Sequence, residues 1–90
     1  SDVTIDTVSR TVQKQGEPVE LTLKEFDMLL YFAQNRGIAL YRETIYEKVW
    51  NEPYFGDTRT VDLHVQRLRK KLDLANEIQS VYKVGYRLKV

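Results

Sequence analysis

The sequence predicts an α+β fold with short antiparallel strands first, then three helices, then a C-terminal β-hairpin. Three observations carry this expectation. Half-polar apolar runs punctuated by Gly and Pro fill the first twenty residues. Three stretches between residues 22 and 74 repeat apolar side chains at helical spacing. The closing segment alternates apolar Tyr86, Leu88 and Val90 with cationic Arg87 and Lys89, a strand pattern. At 90 residues and 42% hydrophobic content the chain reads as one domain, 1–90. A chain of this size buries about 60% of its unfolded surface.

Val3, Ile5, Val8 and Val12 stand among polar residues, with a turn at Gln15-Gly16 and a break at Pro18, which suggests a meander. Thr22-Leu23-Lys24-Glu25 then forms a capping box, and Leu21 with Phe26 occupies the positions of a hydrophobic staple. Phe26, Leu29, Leu30 and Ala33 give the first helix its apolar stripe, and Gly37 in Asn35-Arg36-Gly37 supplies a left-handed stop. An apolar link, Ile38-Ala39-Leu40, leads to a second helix over Arg42–Trp50, whose face carries Ile45, Tyr46, Val49 and Trp50. Its start is poorly capped, because Tyr41 has no short side-chain acceptor. Residues 51–58, with Pro53 and Gly56, form a loop.

The third helix spans about 59–74. Val61, Val65, Leu68 and Leu72 form one buried stripe. The opposite face presents Arg59, Thr60, Leu63, Gln66, Arg67 and Lys70, flanked by His64 and Lys71. Asp62 and Arg69 lie beside the core face, where pairing with neighbouring elements suits them better than ligand contact. The hairpin follows, with Ile78 to Tyr82, a turn around Lys83-Val84-Gly85, and a second strand to Val90.

Charge separates the chain into two regions. Residues 1–58 hold 6 basic and 10 acidic side chains, net −4, while residues 59–90 hold 8 and 3, net +5. The overall charge of +1 conceals this gradient, which suggests that one end faces a polyanion. A merely solvated basic helix face is the bland alternative. Zero Cys removes disulfides, thiolate zinc sites and cysteine nucleophiles. No apolar run reaches the roughly 20 residues of a membrane span. The single histidine has no second His or Cys to share a metal, and no nucleophile or orienting carboxylate in register with it. No Gly-rich phosphate loop or metalloprotease spacing occurs, so neither a cofactor nor an enzyme activity is expected.

A helix of this kind fits the major groove of B-DNA, roughly 12 Å wide. Arg59 and Arg67 stand about 12 Å apart along its exposed face at a 1.5 Å rise per residue. Either arginine can bond guanine or grip phosphate; Gln66 can pair with adenine; Leu63 and the Thr60 methyl can pack on a thymine methyl. Lys70, Lys71 and Lys83 suit phosphate contacts, which bring affinity with little sequence information. His64 is either a DNA contact or a solvated side chain. The rival from another class is a protein-interaction module whose basic face docks an acidic partner; a catalytic role for His64 is remote.

The run Arg59-Thr60-Val61-Asp62-Leu63-His64-Val65, continuing Gln66-Arg67-Leu68-Arg69-Lys70-Lys71-Leu72, resembles the recognition helix of the winged-helix effector domains of OmpR/PhoB-type bacterial response regulators. Leu21-Thr22-Leu23-Lys24-Glu25-Phe26 is similar to the first-helix signature of that family. Arg42-Glu43 with Val49-Trp50 resembles its second helix, and Val84-Gly85-Tyr86-Arg87 its wing. The resemblance covers essentially the whole chain. It implies a winged helix-turn-helix that binds double-stranded DNA sequence-specifically in transcriptional regulation, in the bacterial cytoplasm. The third helix would enter the major groove and the hairpin, about 78–90, the adjacent minor groove.

By motif, the resemblance makes Arg59, Thr60, Leu63, His64, Arg67 and Arg69 DNA-facing, with Arg69 a backbone contact at most and Trp50 a phosphate contact. On the wing it points to Ser80, Tyr82, Lys83 and Tyr86. The loop Asn51, Glu52, Pro53, Tyr54, Phe55, Gly56 and Asp57 would contact RNA polymerase. It further implies a fragment lacking its N-terminal receiver domain, the phosphoacceptor of a two-component phosphorelay. The isolated domain would be monomeric and weak on one half of a direct repeat. This sequence departs from the family at Gln66, where many members carry Arg, and at Tyr41, where Ser or Thr would cap. At Ser80-Val81-Tyr82-Lys83 the usual wing arginine is missing and Lys83 replaces a turn glycine. Either Lys83 takes over the cationic role or the wing reads DNA differently.

Overall fold

Residues 2–89 are described by a computed structural model. The N-terminal strands β1 (Val3–Asp6), β2 (Thr11–Lys14) and β3 (Glu17–Val19) form an antiparallel sheet in that order. Gln15 and Gly16, at φ 52° and 80°, make the tight turn that sets Lys14 opposite Glu17. Pro18 does not break the chain. It sits within β3, at the sheet edge, where its missing N–H costs no ladder bond. Val12 points into the core, whereas Val8 lies in a turn and is 95% exposed, so it is no part of a strand.

Helix α1 (Leu23–Gln34) starts as the capping box predicts. Thr22 Oγ1 accepts from the Glu25 N–H, and the Glu25 carboxylate accepts from the Thr22 N–H. The buried face is rotated from the expected stripe. Phe26 and Leu29 are buried, but Met28 and Phe32 join them, while Leu30 and Ala33 are only half-buried. The reason is tertiary: α1 packs against both other helices and the sheet base, so it buries a wider arc than a one-sided stripe. Gly37 adopts φ 80° beyond the C-terminus, and its N–H donates to the Leu88 carbonyl.

The link at 38–40 holds a strand that periodicity could not show. β4 (Leu40–Tyr41) pairs with β6 (Gly85–Leu88), which pairs in turn with β5 (Ile78–Val81), giving the order β4-β6-β5. Helix α2 (Arg42–Trp50) has the expected bounds and lacks a side-chain cap at Tyr41; Asn51 closes it in the left-handed conformation. Helix α3 begins at Arg59 as expected but ends at Leu72, two residues early. Asp73 turns left-handed at φ 53°, and Leu74 folds back so that its N–H reaches the Arg69 carbonyl. Leu74 is therefore core without being helix. The expected extension of the last strand to Val90 lies outside the described residues.

Val61, Val65, Leu68 and Leu72 are fully buried against α1, α2 and the second sheet. Burying each such side chain contributes about 1.5–3 kcal/mol. Gly85, expected in the turn, instead starts β6, directly opposite Tyr41. A Cβ there would stand 2.3 Å from the Leu40 carbonyl oxygen and 3.0 Å from the Arg42 nitrogen, both backbone atoms. Only glycine lets β4 approach β6 this closely. Gly85→Ala is expected to lower stability by about 1–3 kcal/mol, the range for overpacking a tight site, measured by chemical denaturation.

Candidate nucleic-acid interface

The burial of one α3 face leaves the other outward. Arg59, Leu63, Gln66, Arg67 and Lys70 are exposed together, with Thr60 and His64 half-buried along one margin and Arg69 along the other. Leu63, at 49% exposure, is the apolar centre of a cationic surface. The Nδ1–H of His64 donates to the Thr60 carbonyl at 2.7 Å. Trp50 stands at the end of α2 with its ring edge-on to His64 at 4.9 Å and stacked on Tyr46 at 5.3 Å. The aromatic pair thus extends the α3 face onto α2. Among the described residues no cluster of His, Cys, Asp and Glu could hold a metal ion.

Asp62 and Arg69 do the pairing work expected of the flank. Arg42 Nε donates to Asp62 Oδ1 at 2.8 Å and the Tyr86 hydroxyl donates to the same oxygen at 2.6 Å. Arg69 donates through Nε and Nη2 to the Ile78 carbonyl and through Nη2 to Ser80 Oγ. The guanidinium groups of Arg42 and Arg69 both lie over the Tyr86 ring, at 4.9 and 5.4 Å. Two charged residues of α3 therefore hold the hairpin, β5 through Arg69 and β6 through Asp62. Burial pushes the Tyr86 hydroxyl up from its ordinary pKa, and the Asp62 carboxylate adds to the rise. Tyr86 is only 4% exposed, so the structure removes it from the wing surface on which the sequence placed it. Arg69 is likewise turned to the hairpin backbone.

The wing tip itself is formed by Tyr82 and Lys83. Val84 N–H donates to the Val81 carbonyl to close the turn, and Lys83 takes φ 62° at a position that favours glycine. Tyr82 is 86% exposed, with the Lys83 ammonium 5.5 Å from its ring centre. An open groove between α3 and β5, lined by Gln66, Arg69, Lys70, Gln79 and Ser80, joins the helix face to the wing.

The loop before α3 is tied at both ends. Tyr46 donates its hydroxyl to Glu52, and the Tyr54 N–H donates to Glu47. Asp57 accepts from both the backbone and the guanidinium of Arg59. Those contacts hold the Asp57 carboxyl down at about 2. Phe55 between these ties is 85% exposed. An Asp two residues ahead of a helix is a recognisable start signal, yet the guanidinium contact is not readable from it.

Lys71 occupies a different place from the one its sequence position suggested. Its ammonium donates to Glu25 Oε1 at 2.6 Å, and Glu25 is 1% exposed. One carboxylate thus caps α1 and fastens it to α3, and the Lys71 ammonium is spent on that carboxylate although its side chain stays 36% exposed. Burial opposes ionisation of Glu25, but the Lys71 ammonium and the Thr22 N–H outweigh it and hold the carboxyl below its ordinary range.

A family model described as "Transcriptional regulatory protein, C terminal" matches residues 16–88. The chain is 47% identical over 87 residues to the transcriptional regulatory protein YclJ of Bacillus subtilis, covering 93% of this chain and 38% of that protein. It is 43% identical over 90 residues to the sensory transduction protein RegX3 of Mycolicibacterium smegmatis, covering 96% and 40%. Among solved structures, the DNA-binding domain of Klebsiella pneumoniae RstA in complex with the RstA box superposes with a TM-score of 0.87 at 36% identity, covering 99% of this chain and 92% of that one. The Thermotoga maritima response regulator DrrB, an OmpR/PhoB homologue, gives 0.87 at 32% identity, covering 100% and 42%. The chain thus spans about two fifths of the length of these full-length relatives. No described helix is long and apolar enough to cross a membrane.

Removing the Lys71 ammonium leaves a buried carboxylate unpaired. Lys71→Met is expected to cost about 1–3 kcal/mol at neutral pH. A carboxyl lowered in the folded state contributes stability above its unfolded pKa and loses it as pH falls through the folded value. The deficit of Lys71→Met should therefore shrink as pH is lowered through and below the ordinary carboxylate range. Denaturation midpoints of both proteins across acid pH check this.

Proposed function

The chain belongs to the transcriptional regulatory protein C-terminal family, of OmpR/PhoB type, and from that membership we propose that it binds a specific duplex DNA sequence through the exposed face of α3. A single observation carries the proposal. The face opposite the buried stripe joins Arg59, Arg67 and Lys70 to Thr60, Leu63 and Gln66, so cations for phosphate lie among side chains that can read base edges. The family acts by binding in the regulation of transcription and is not an enzyme. The DNA complex of the similar RstA domain supports duplex DNA as the ligand.

In this reading α3 lies in the major groove, with Arg67 on a base edge and Lys70 on a phosphate. Trp50 and His64 meet the backbone at the margin of the groove. Tyr82 and Lys83 carry the wing contact toward the minor groove; Arg69 and Tyr86 position that wing from behind. The net +5 of residues 59–90 supplies the attraction, and the net −4 of the remainder limits binding without sequence preference. The proposal extends to a receiver domain, RNA polymerase at the 51–57 loop, and direct-repeat sites in a bacterial cytoplasm. Its support is the resemblance to response regulators and the chain's 38–40% share of its bacterial relatives. The exposed Phe55 between acidic Glu52 and Asp57 gives that loop a contact surface separate from the α3 face.

Selection from a random duplex pool should yield one preferred sequence for the chain; a flat pool would remove the proposal. On the selected duplex Arg67→Ala is expected to lower affinity by about 1–3 kcal/mol and relax preference at one base pair. Equal weakening on all sequences would show that Arg67 reads no base. Lys83→Ala should reduce the slope of log affinity against log salt by about one unit, and an unchanged slope would take the wing lysine off the DNA.

A further inference from the structure

Arg59, the first residue of α3, is an exposed cation of the interface, yet it is not conformationally free. Its backbone N–H donates to Asp57 Oδ1 at 2.9 Å, its Nε to Oδ1 and Oδ2 at 3.1 and 3.3 Å, and its Nη2 to Oδ2 at 2.9 Å. The side chains of Arg59 and Asp57 are 91% and 58% exposed. An ion pair that open adds little to fold stability. A carboxylate beside a face meant for phosphates also opposes DNA affinity by its charge. The bond from the Arg59 backbone N–H gives Asp57 a part in starting the helix, but neither stability nor attraction explains its further bonds to the guanidinium.

The geometry of the pair does. Guanidinium carries five N–H donors in a rigid plane. Asp57 takes the Nε–Nη2 side, which leaves both N–H groups of Nη1 and one of Nη2 along the outer edge. Two parallel donors on that edge match guanine O6 and N7 in the major groove. An arginine already held in one plane loses less rotamer freedom on docking than a free one. We propose that Asp57 is a positioning residue for DNA recognition, holding Arg59 by its inner side so that its outer edge reads a guanine. This rests on the DNA-binding function proposed above and adds to it a specificity role for a residue in the preceding loop. It also separates Asp57 from the rest of that loop, whose outer surface carries Phe55.

The test uses the 90-residue chain and the duplex selected from the random pool. Asp57→Asn keeps an oxygen for the Arg59 backbone N–H, and so the helix start, but loses the charged clamp. On the selected duplex it should weaken binding by about two- to fivefold, the most that losing an exposed ion pair can do while Arg59 itself remains. On duplexes altered at the base pair read by Arg59, binding should be unchanged or tighter, since one negative charge has gone. In an Arg59→Ala background the same substitution should cost nothing more, and Arg59→Lys should not restore the preference, because lysine has no second edge. The proposal is overturned if Asp57→Asn changes affinity for every duplex by one common factor, which is a charge effect. It is equally overturned if the loss persists without Arg59. A wild-type chain that selects no sequence would instead defeat the underlying DNA-binding function, an outcome visible before any variant is made.

Discussion

The burial of Val61, Val65, Leu68 and Leu72 is the constraint on which the other features of this molecule depend. Four side chains at zero exposure leave α3 one rotational setting against α1 and α2. Because a helix fixes the angle between its residues, that setting also fixes which side chains face outward. Arg59, Leu63, Gln66, Arg67 and Lys70 are exposed as a group because the other stripe cannot be. The interface is in this sense the complement of the core, and a change that rotates the core face rotates the interface with it.

Polar contacts then lock what the apolar stripe orients. Glu25 serves the α1 cap and the Lys71 ammonium at once, tying the start of one helix to the end of another. Asp62 gathers Arg42 and Tyr86, while Arg69 takes the Ile78 carbonyl, so the hairpin is held from α3 itself. Of these residues Lys71, Asp62 and Arg69 sit on α3, and each binds a neighbouring element with its polar group. A helix that carries its own hairpin keeps its exposed face and the hairpin in fixed relation.

The charge distribution has the same logic. Near-neutrality of the whole chain is the sum of an acidic region, residues 1–58, and a basic region, residues 59–90. Within the basic region, not every cation is free. Lys71 is held by a buried carboxylate, Arg69 by the Ile78 carbonyl and the Ser80 hydroxyl, and Arg59 by Asp57. Arg67, Lys70 and Lys83 have no such anchoring carboxylate among the described contacts, which divides the cations into those that are positioned and those that can adapt.

Much of this was legible in the residues. The capping box at Thr22, the bounds of α2, the left-handed Gly37, the α3 stripe and the structural flank of Asp62 and Arg69 all follow from local spacing. Local rules govern them, because a cap or a helical stripe is decided within a few residues. What spacing could not show involves partners far apart in sequence: the β4 strand against β6, the need for glycine at 85, the Glu25–Lys71 pair and the burial of Tyr86. Each requires two segments to meet, and no single stretch records its partner. The sequence by itself determined which helix concentrates the cations and which side of it lies outward. Only the tertiary structure decided which cations on that helix remain available, because packing brings carboxylates and carbonyls from other elements within reach of some and not of others.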